Sequence, residues 1–173
     1  QINALALPEA VDIRTEQILR RGMRGNRFIV SIEGEDGATQ PVYHHHDHHH
    51  HHHDNHHDHH HSHEHRRYAE IRSLLDTSPL NPEVRAAAQK IFLVLATAEA
   101  KAHGVAVEDV QFHEVGAVDS IIDTVAAAAG IAWLGVDTVY VSPLPMGGGF
   151  IETAHGCLAV LAPATVELLQ GFV

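Results

Sequence analysis

The stretch Val118-Asp119-Ser120-Ile121-Ile122-Asp123-Thr124-Val125-Ala126-Ala127-Ala128-Ala129-Gly130-Ile131-Ala132-Trp133-Leu134-Gly135-Val136-Asp137-Thr138-Val139-Tyr140-Val141 decides the fold class. Residues 118–134 carry apolar side chains on nearly every side of a helical wheel, the pattern of a buried helix. Residues 136–141 are strand-like, rich in Val, Thr and Tyr. A helix feeding a strand belongs to a mixed fold, in which helices and sheet share a core.

Upstream, helical signals continue. Tyr68, Ile71, Leu74 and Leu75 form a stripe at i, i+3, i+6 and i+7 that stops near Ser78-Pro79. Asn81-Pro82-Glu83 is an N-cap with proline at the first helical position. It opens a helix running from Val84 to His103, with Ile91, Leu95, Ala98 and Ala102 expected on one face and Gly104 as the stop. Downstream, Ser142-Pro143 through Gly149 is a loop, and Ala162-Pro163-Ala164-Thr165 opens a last short helix that Gly171 closes. Near the start, Ile18-Leu19 and Phe28-Ile29-Val30-Ser31-Ile32 are strand-prone, and Gly22 and Gly25-Asn26 supply turns, so a hairpin is expected. The expected fold class is therefore α+β, or α/β. A β-rich part covers 1–36, a disordered His-rich loop 37–66, and a helix-rich part of the same domain 67–173, with at least one further strand.

Asp and Glu number 22 against 11 Lys and Arg, which excludes a general nucleic-acid binder because that function needs a basic face. Aromatic residues are 5 %, so aliphatic and alanine packing has to build the core. No apolar run reaches the roughly 18 residues of a bilayer crossing, and the N-terminus shows no secretory pattern, so no membrane partner is expected. The single cysteine, Cys157, excludes an internal disulfide and fits a reducing compartment, hence a cytoplasmic location. A first residue Gln1 rather than Met, and an end at Val173 just after a helix, read as a piece of a longer chain.

Sixteen of the 19 histidines fall in residues 44–65: His44, His45, His46, His48, His49, His50, His51, His52, His53, His56, His57, His59, His60, His61, His63 and His65. The window also holds Asp47, Asp54, Asp58 and Glu64, and no Lys or Arg, so its charge swings from −4 to +12 as the imidazoles protonate. Imidazole suits Ni, Cu, Zn and Co. Irregularly spaced imidazoles with carboxylates between them bind several such ions without one fixed geometry. The tract is internal and broken by Asp, Asn, Ser and Glu, unlike a purification tag.

A second constellation is Phe112-His113-Glu114-Val115-Gly116-Ala117-Val118-Asp119-Ser120-Ile121-Ile122-Asp123. Asp119 and Asp123 are one helical turn apart, and His113 and Glu114 lie just upstream. One imidazole and three carboxylates suit Mn, Mg or Ni. On a buried helix an uncompensated carboxylate is costly, so Asp123 would require a metal, a cation or several donors. The plainer alternative is that Asp119 only complements the helix dipole and Asp123 pairs with an arginine. Gly147, Gly148 and Gly149 could turn backbone N–H groups toward a phosphate, although the run lacks the lysine and spacing of a P-loop. His155 and Cys157 are two apart without a third group to orient them, so a Cys157 nucleophile is poorly supported.

Taken together, residues 112–123, Ser142-Pro143-Leu144-Pro145-Met146-Gly147, Thr153-Ala154-His155-Gly156 and Ala162-Pro163-Ala164-Thr165-Val166-Glu167-Leu168-Leu169 resemble the LarC family of nickel insertion proteins. A His-rich loop ahead of two helices matches that family's layout. The resemblance implies a CTP-dependent nickel-inserting lyase, or chelatase. Its substrate is pyridinium-3,5-bisthiocarboxylic acid mononucleotide, in which one Ni–C and two Ni–S bonds form. The product is the nickel-pincer cofactor of lactate racemase, so a lactate racemase-type apoenzyme is the downstream partner, and a homo-oligomer is expected. Carried over residue by residue, His113, Glu114, Asp119 and Asp123 occupy the catalytic signature, and Gly147, Gly148, Gly149 and His155 the cofactor-binding positions. CTP, with Mn or Mg, is expected to bind outside this chain, in a C-terminal domain that the sequence lacks. The family's Asp-Cys-Phe-Ser-Gly-type opening is expected upstream of Gln1. Two other readings compete: a non-catalytic nickel storage or delivery module, and a zinc or copper homeostasis protein. The last leaves residues 112–123 and 147–149 without a role.

Overall fold

The structure, a computed structural model, describes residues 5, 7, 10–33, 39–41, 66–113, 115–144, 146–153 and 156–171. The histidine tract, Glu114 and His155 lie outside the described residues. The chain divides into two compact units, Leu7–Ser62 in one and Gln1–Ala6 with His63–Val173 in the other. Its architecture is α+β.

In the first unit, β1 (Val11–Arg20) and β2 (Met23–Glu33) form an antiparallel hairpin, and β3 (Thr39–Pro41) pairs with the end of β2. Arg20 faces Met23 across the turn, so the loop is Arg21-Gly22, with φ of 48° and 82°. Two consecutive positive φ values match the twist of the flanking strands. Gly25-Asn26, expected to supply turn chemistry, instead sits within β2, opposite Ile18 and Gln17. The strands are longer than the apolar runs suggested, because cross-strand pairing carries polar residues along.

The second unit holds β4 (Arg66–Arg67), α1 (Tyr68–Thr77), α2 (Pro82–His103), β5 (Gln111–Phe112), α3 (Val118–Leu134), β6 (Phe150–Thr153), β7 (Gly156–Ala159) and α4 (Pro163–Leu169). β4 pairs antiparallel with β5, and β6 with β7. On α1, Tyr68, Ile71 and Leu75 are buried, as the stripe predicts. The helix ends where the buried Ser78 hydroxyl donates to the Leu75 carbonyl at 2.7 Å. Asn81 Oδ1 accepts from the Glu83 N–H at 2.9 Å, and Gly104 closes α2 in the left-handed region at φ 68°.

The buried face of α2 is Val84, Ala88, Phe92, Ala96, Ala98 and Ala100. Of the face expected from sequence, Ala98 is buried, while Ile91 and Ala102 are exposed. The stripe at 84, 88, 92, 96 and 100 uses small residues, which let the neighbouring helices approach closely, with Phe92 filling the gap against Phe112 at a ring-centre distance of 6.2 Å. Lys101 of α2 pairs with Glu167 of α4.

Residues 136–141 differ from expectation. They follow α3 without helix or strand assignment, and among the described residues they join none of the sheets. Their composition suits a strand, but a ladder forms only where a second strand supplies the partner groups.

Candidate functional site

The turn from β5 into α3 is built on a close approach. Gly116 lies so near β4–β5 that a Cβ there would sit 2.9 Å from the Phe112 carbonyl oxygen and 3.0 Å from the Arg66 nitrogen. Only glycine fits. Arg66, 8 % exposed, donates from Nη1 to the Gly116 carbonyl at 3.3 Å. Tyr68 N–H donates to the Val110 carbonyl at 2.9 Å and extends the same pairing. The turn carrying His113 is thus fixed from both sides before α3 begins. The His113 side chain is half-buried and its Nδ1 is enclosed.

α3 starts when the Ile121 N–H donates to the Ala117 carbonyl at 3.1 Å. Ala117 offers no capping side chain. Asp119, 5 % exposed, takes part of that role, with Oδ1 accepting from the Ser120 N–H at 2.8 Å. A carboxylate in the first turn also meets the positive end of the helix dipole. This is the plainer of the two readings open for Asp119, and it accounts for part of its bonding.

Asp123 corrects the sequence reading. The argument for a compensating metal rested on burial, whereas Asp123 is exposed. α3 is covered at Val118, Asp119, Ile121, Ile122, Val125 and Ala128, and Asp123 lies off that stripe. The two aspartates share a helix but not an environment, one enclosed and one facing solvent.

The glycine loop sits elsewhere in the chain, ahead of β6. Gly147 and Gly149 adopt positive φ, 42° and 108°. A Cβ on Gly147 would lie 3.1 Å from Val160 Cγ1, and the Gly149 carbonyl accepts from Val160 N–H at 3.0 Å. Above Gly148 the space is open. The loop is therefore anchored at its ends and exposed between them, which suits contact with an anion through backbone N–H groups. Cys157 on β7 is exposed. Among the described residues no group of three His, Cys, Asp or Glu side chains is placed to hold a metal ion. No described helix is long and apolar enough to cross a membrane. Sequence reasoning missed Arg66 and the tight role of Gly116. The available signal was the Arg66-Arg67 pair directly after the acidic, histidine-rich tract.

The chain thus joins an α+β fold, with half-buried His113 and buried Asp119 near the start of α3, to a sequence tract of sixteen imidazoles, and the comparisons set it in a class that handles metal. The family model described as "Nickel insertion protein" matches residues 1–173, and the chain belongs to that family. It is 43 % identical over 171 residues to a protein of Geobacter metallireducens, covering 98 % of this chain and 37 % of the relative. It is 44 % identical over 172 residues to one of Geotalea daltonii, covering 99 % and 37 %. A Picosynechococcus protein is 41 % identical over 170 residues, covering 98 % of this chain and 39 % of its own. Each carries the name "Putative nickel insertion protein". The chain thus spans little more than a third of the length of these relatives. No solved structure gives a significant match.

Proposed function

We propose that these residues form part of a CTP-dependent cyclometallase that inserts nickel into pyridinium-3,5-bisthiocarboxylic acid mononucleotide, producing the nickel-pincer cofactor for a lactate racemase-type apoenzyme. The observation that carries this reading is the family match over residues 1–173; the substrate follows from the sequence resemblance. Nickel is cargo here, not a resident cofactor. The histidine tract collects it, since neutral imidazole is a good ligand for borderline ions. A site that makes Ni–C and Ni–S bonds needs fixed groups, so insertion belongs to the entrance of α3, with His113, Glu114, Asp119 and Asp123. The exposed Asp123 carboxylate meets the incoming ion or substrate, and the enclosed Asp119 holds the helix entrance in shape. The Gly147-Gly148-Gly149 loop and His155 take the phosphate of the mononucleotide. CTP with Mn or Mg binds outside these residues, and the protein works in the cytoplasm as a homo-oligomer.

The test is deletion of residues 44–65 in a family-length chain. Bound nickel, measured by elemental analysis, is expected to fall several-fold, while insertion at saturating nickel persists. Loss of insertion at saturating nickel would place the tract in the catalytic centre. Nickel bound by the tract but no insertion by the intact protein would favour a storage and delivery module, the reading that sixteen imidazoles in one window also support.

A further inference from the structure

The end of α3 and the residues after it form an apolar surface that nothing among the described residues covers. Trp133 is 85 % exposed and Tyr140 91 %, and Leu134, Val136, Val139 and Val141 are exposed with them. Soluble proteins seldom leave so many adjoining large apolar side chains in water unless something binds there. Residues 136–141 also have the composition of a strand but no ladder partner among the described residues.

The pattern of side chains says what kind of cover is missing. Along a strand, Val136, Thr138 and Tyr140 would point to one face and Asp137, Val139 and Val141 to the other. Past Asp137 at its start, both faces are therefore mainly apolar. A strand with one wet face alternates apolar with polar, whereas a strand apolar on both faces belongs inside a sheet with layers on each side. α3 precedes it directly, as a helix precedes a strand in a layered α/β unit. Strand-type residues also explain why the partner should be another strand: an unpaired strand edge offers a row of N–H and C=O groups that only extended backbone satisfies in order.

The chain spans 37 % of the Geobacter metallireducens and Geotalea daltonii relatives, so in those proteins much additional chain accompanies the matching region. We propose that residues 136–141 are an inner strand of a sheet completed by a strand from the part of a family-length chain outside these 173 residues, and that the same segment covers Trp133 and Leu134. The strand would run directly into the loop containing Gly147, Gly148 and Gly149. Ligands of layered α/β sheets bind at the carboxyl ends of strands. Sheet completion would then fix the glycine loop; this last consequence rests on the phosphate role proposed above.

Hydrogen–deuterium exchange followed by mass spectrometry tests the pairing. The 173-residue chain is compared with a family-length protein in which these residues replace the matching region of the Geobacter metallireducens relative. Amides of 137–141 should exchange at close to the unprotected rate in the short chain, at any protein concentration. They should be slowed at least 100-fold in the long protein, with α2 amides protected in both. Fast exchange of 137–141 in a long protein whose α2 amides are protected would overturn the proposal. Protection in the short chain that grows with concentration would assign the surface to a second copy and overturn it too. A double variant of the short chain, Val139→Lys with Tyr140→Asp, provides a reading that does not depend on the fusion. It should lose binding of a hydrophobic dye and keep its melting temperature; a drop of several degrees would mean that the segment is already packed within these residues.

Discussion

The two halves of α3 have opposite fates. In the first half Ile121, Ile122 and Val125 are completely buried. In the second half Ile131, Trp133 and Leu134 are exposed. The sequence predicts burial along the whole helix, and most of all in the second half, since the polar residues Asp119, Ser120, Asp123 and Thr124 all belong to the first half and residues 125–134 carry no polar side chain. Burial of a helix face depends on what the surrounding chain supplies, and the apolar content of the helix only states what it would accept. α2 packs against α3, and the Gly116 turn, pinned by Phe112 and Arg66, leads into its entrance. The far end carries the composition of a core without one around it.

The largest effect that would break this contrast is truncation at the two ends. Ile121→Ala removes a completely buried side chain and is expected to cost about 2–5 kcal/mol, measured by urea unfolding of the 173-residue chain. Trp133→Ala in the same chain should stay within about 0.5 kcal/mol of the parent. A Trp133 cost comparable with that of Ile121 would show that both ends are packed in solution and erase the distinction.

Next in size is the turn that leads into the entrance. Gly116→Ala should cost about 1–3 kcal/mol, the usual cost of overpacking, because its Cβ meets the backbone of Phe112 and Arg66. Gly148→Ala, with open space above it, should be near neutral by thermal melting. Asp119→Ala removes the oxygen that accepts from the Ser120 N–H and should cost about 1 kcal/mol. Smallest in stability is Asp123→Asn, within about 0.5 kcal/mol for an exposed position. Any large loss of nickel insertion in a family-length Asp123→Asn protein would then report on chemistry and not on folding. Full activity would retire Asp123 from the site and leave the entrance to His113 and its neighbours.

Metal uptake adds a pH test. Protons and nickel compete for imidazole, so nickel bound by the chain should fall steeply from about pH 7 to pH 5, across the free-histidine range near 6.5. Calorimetry showing equal stoichiometry at both values would reject imidazole as the ligand.

Local signals were the legible ones. Asn81-Pro82 and Gly104 bracket α2 because capping is decided within a few residues. The boundaries of α3 were readable for the same reason of continuity: seventeen residues without a breaker other than Gly130. The buried face of α2 was not readable, because Ile91 and Leu95 draw attention while close helix packing selects Ala88 and Ala96. Only three-dimensional neighbours make that choice. The candidate site was legible as a motif from His113 to Asp123, but the opposite environments of Asp119 and Asp123 depend on where the covered stripe of α3 falls. Arg66 was invisible because its partner, the Gly116 carbonyl, is fifty residues away and belongs to the backbone.

Arg66 also bears on how fast metal could move. It is one peptide bond from His65, the last imidazole of the tract. Its backbone pairs with Phe112 and its guanidinium holds Gly116, so the residue that follows the tract in sequence is fixed at the turn that carries His113. Nickel passing from the tract to that turn would move within one molecule. Its transfer would be first order, with a half-time unchanged by dilution, whereas delivery by a separate carrier slows in proportion as both proteins become scarce.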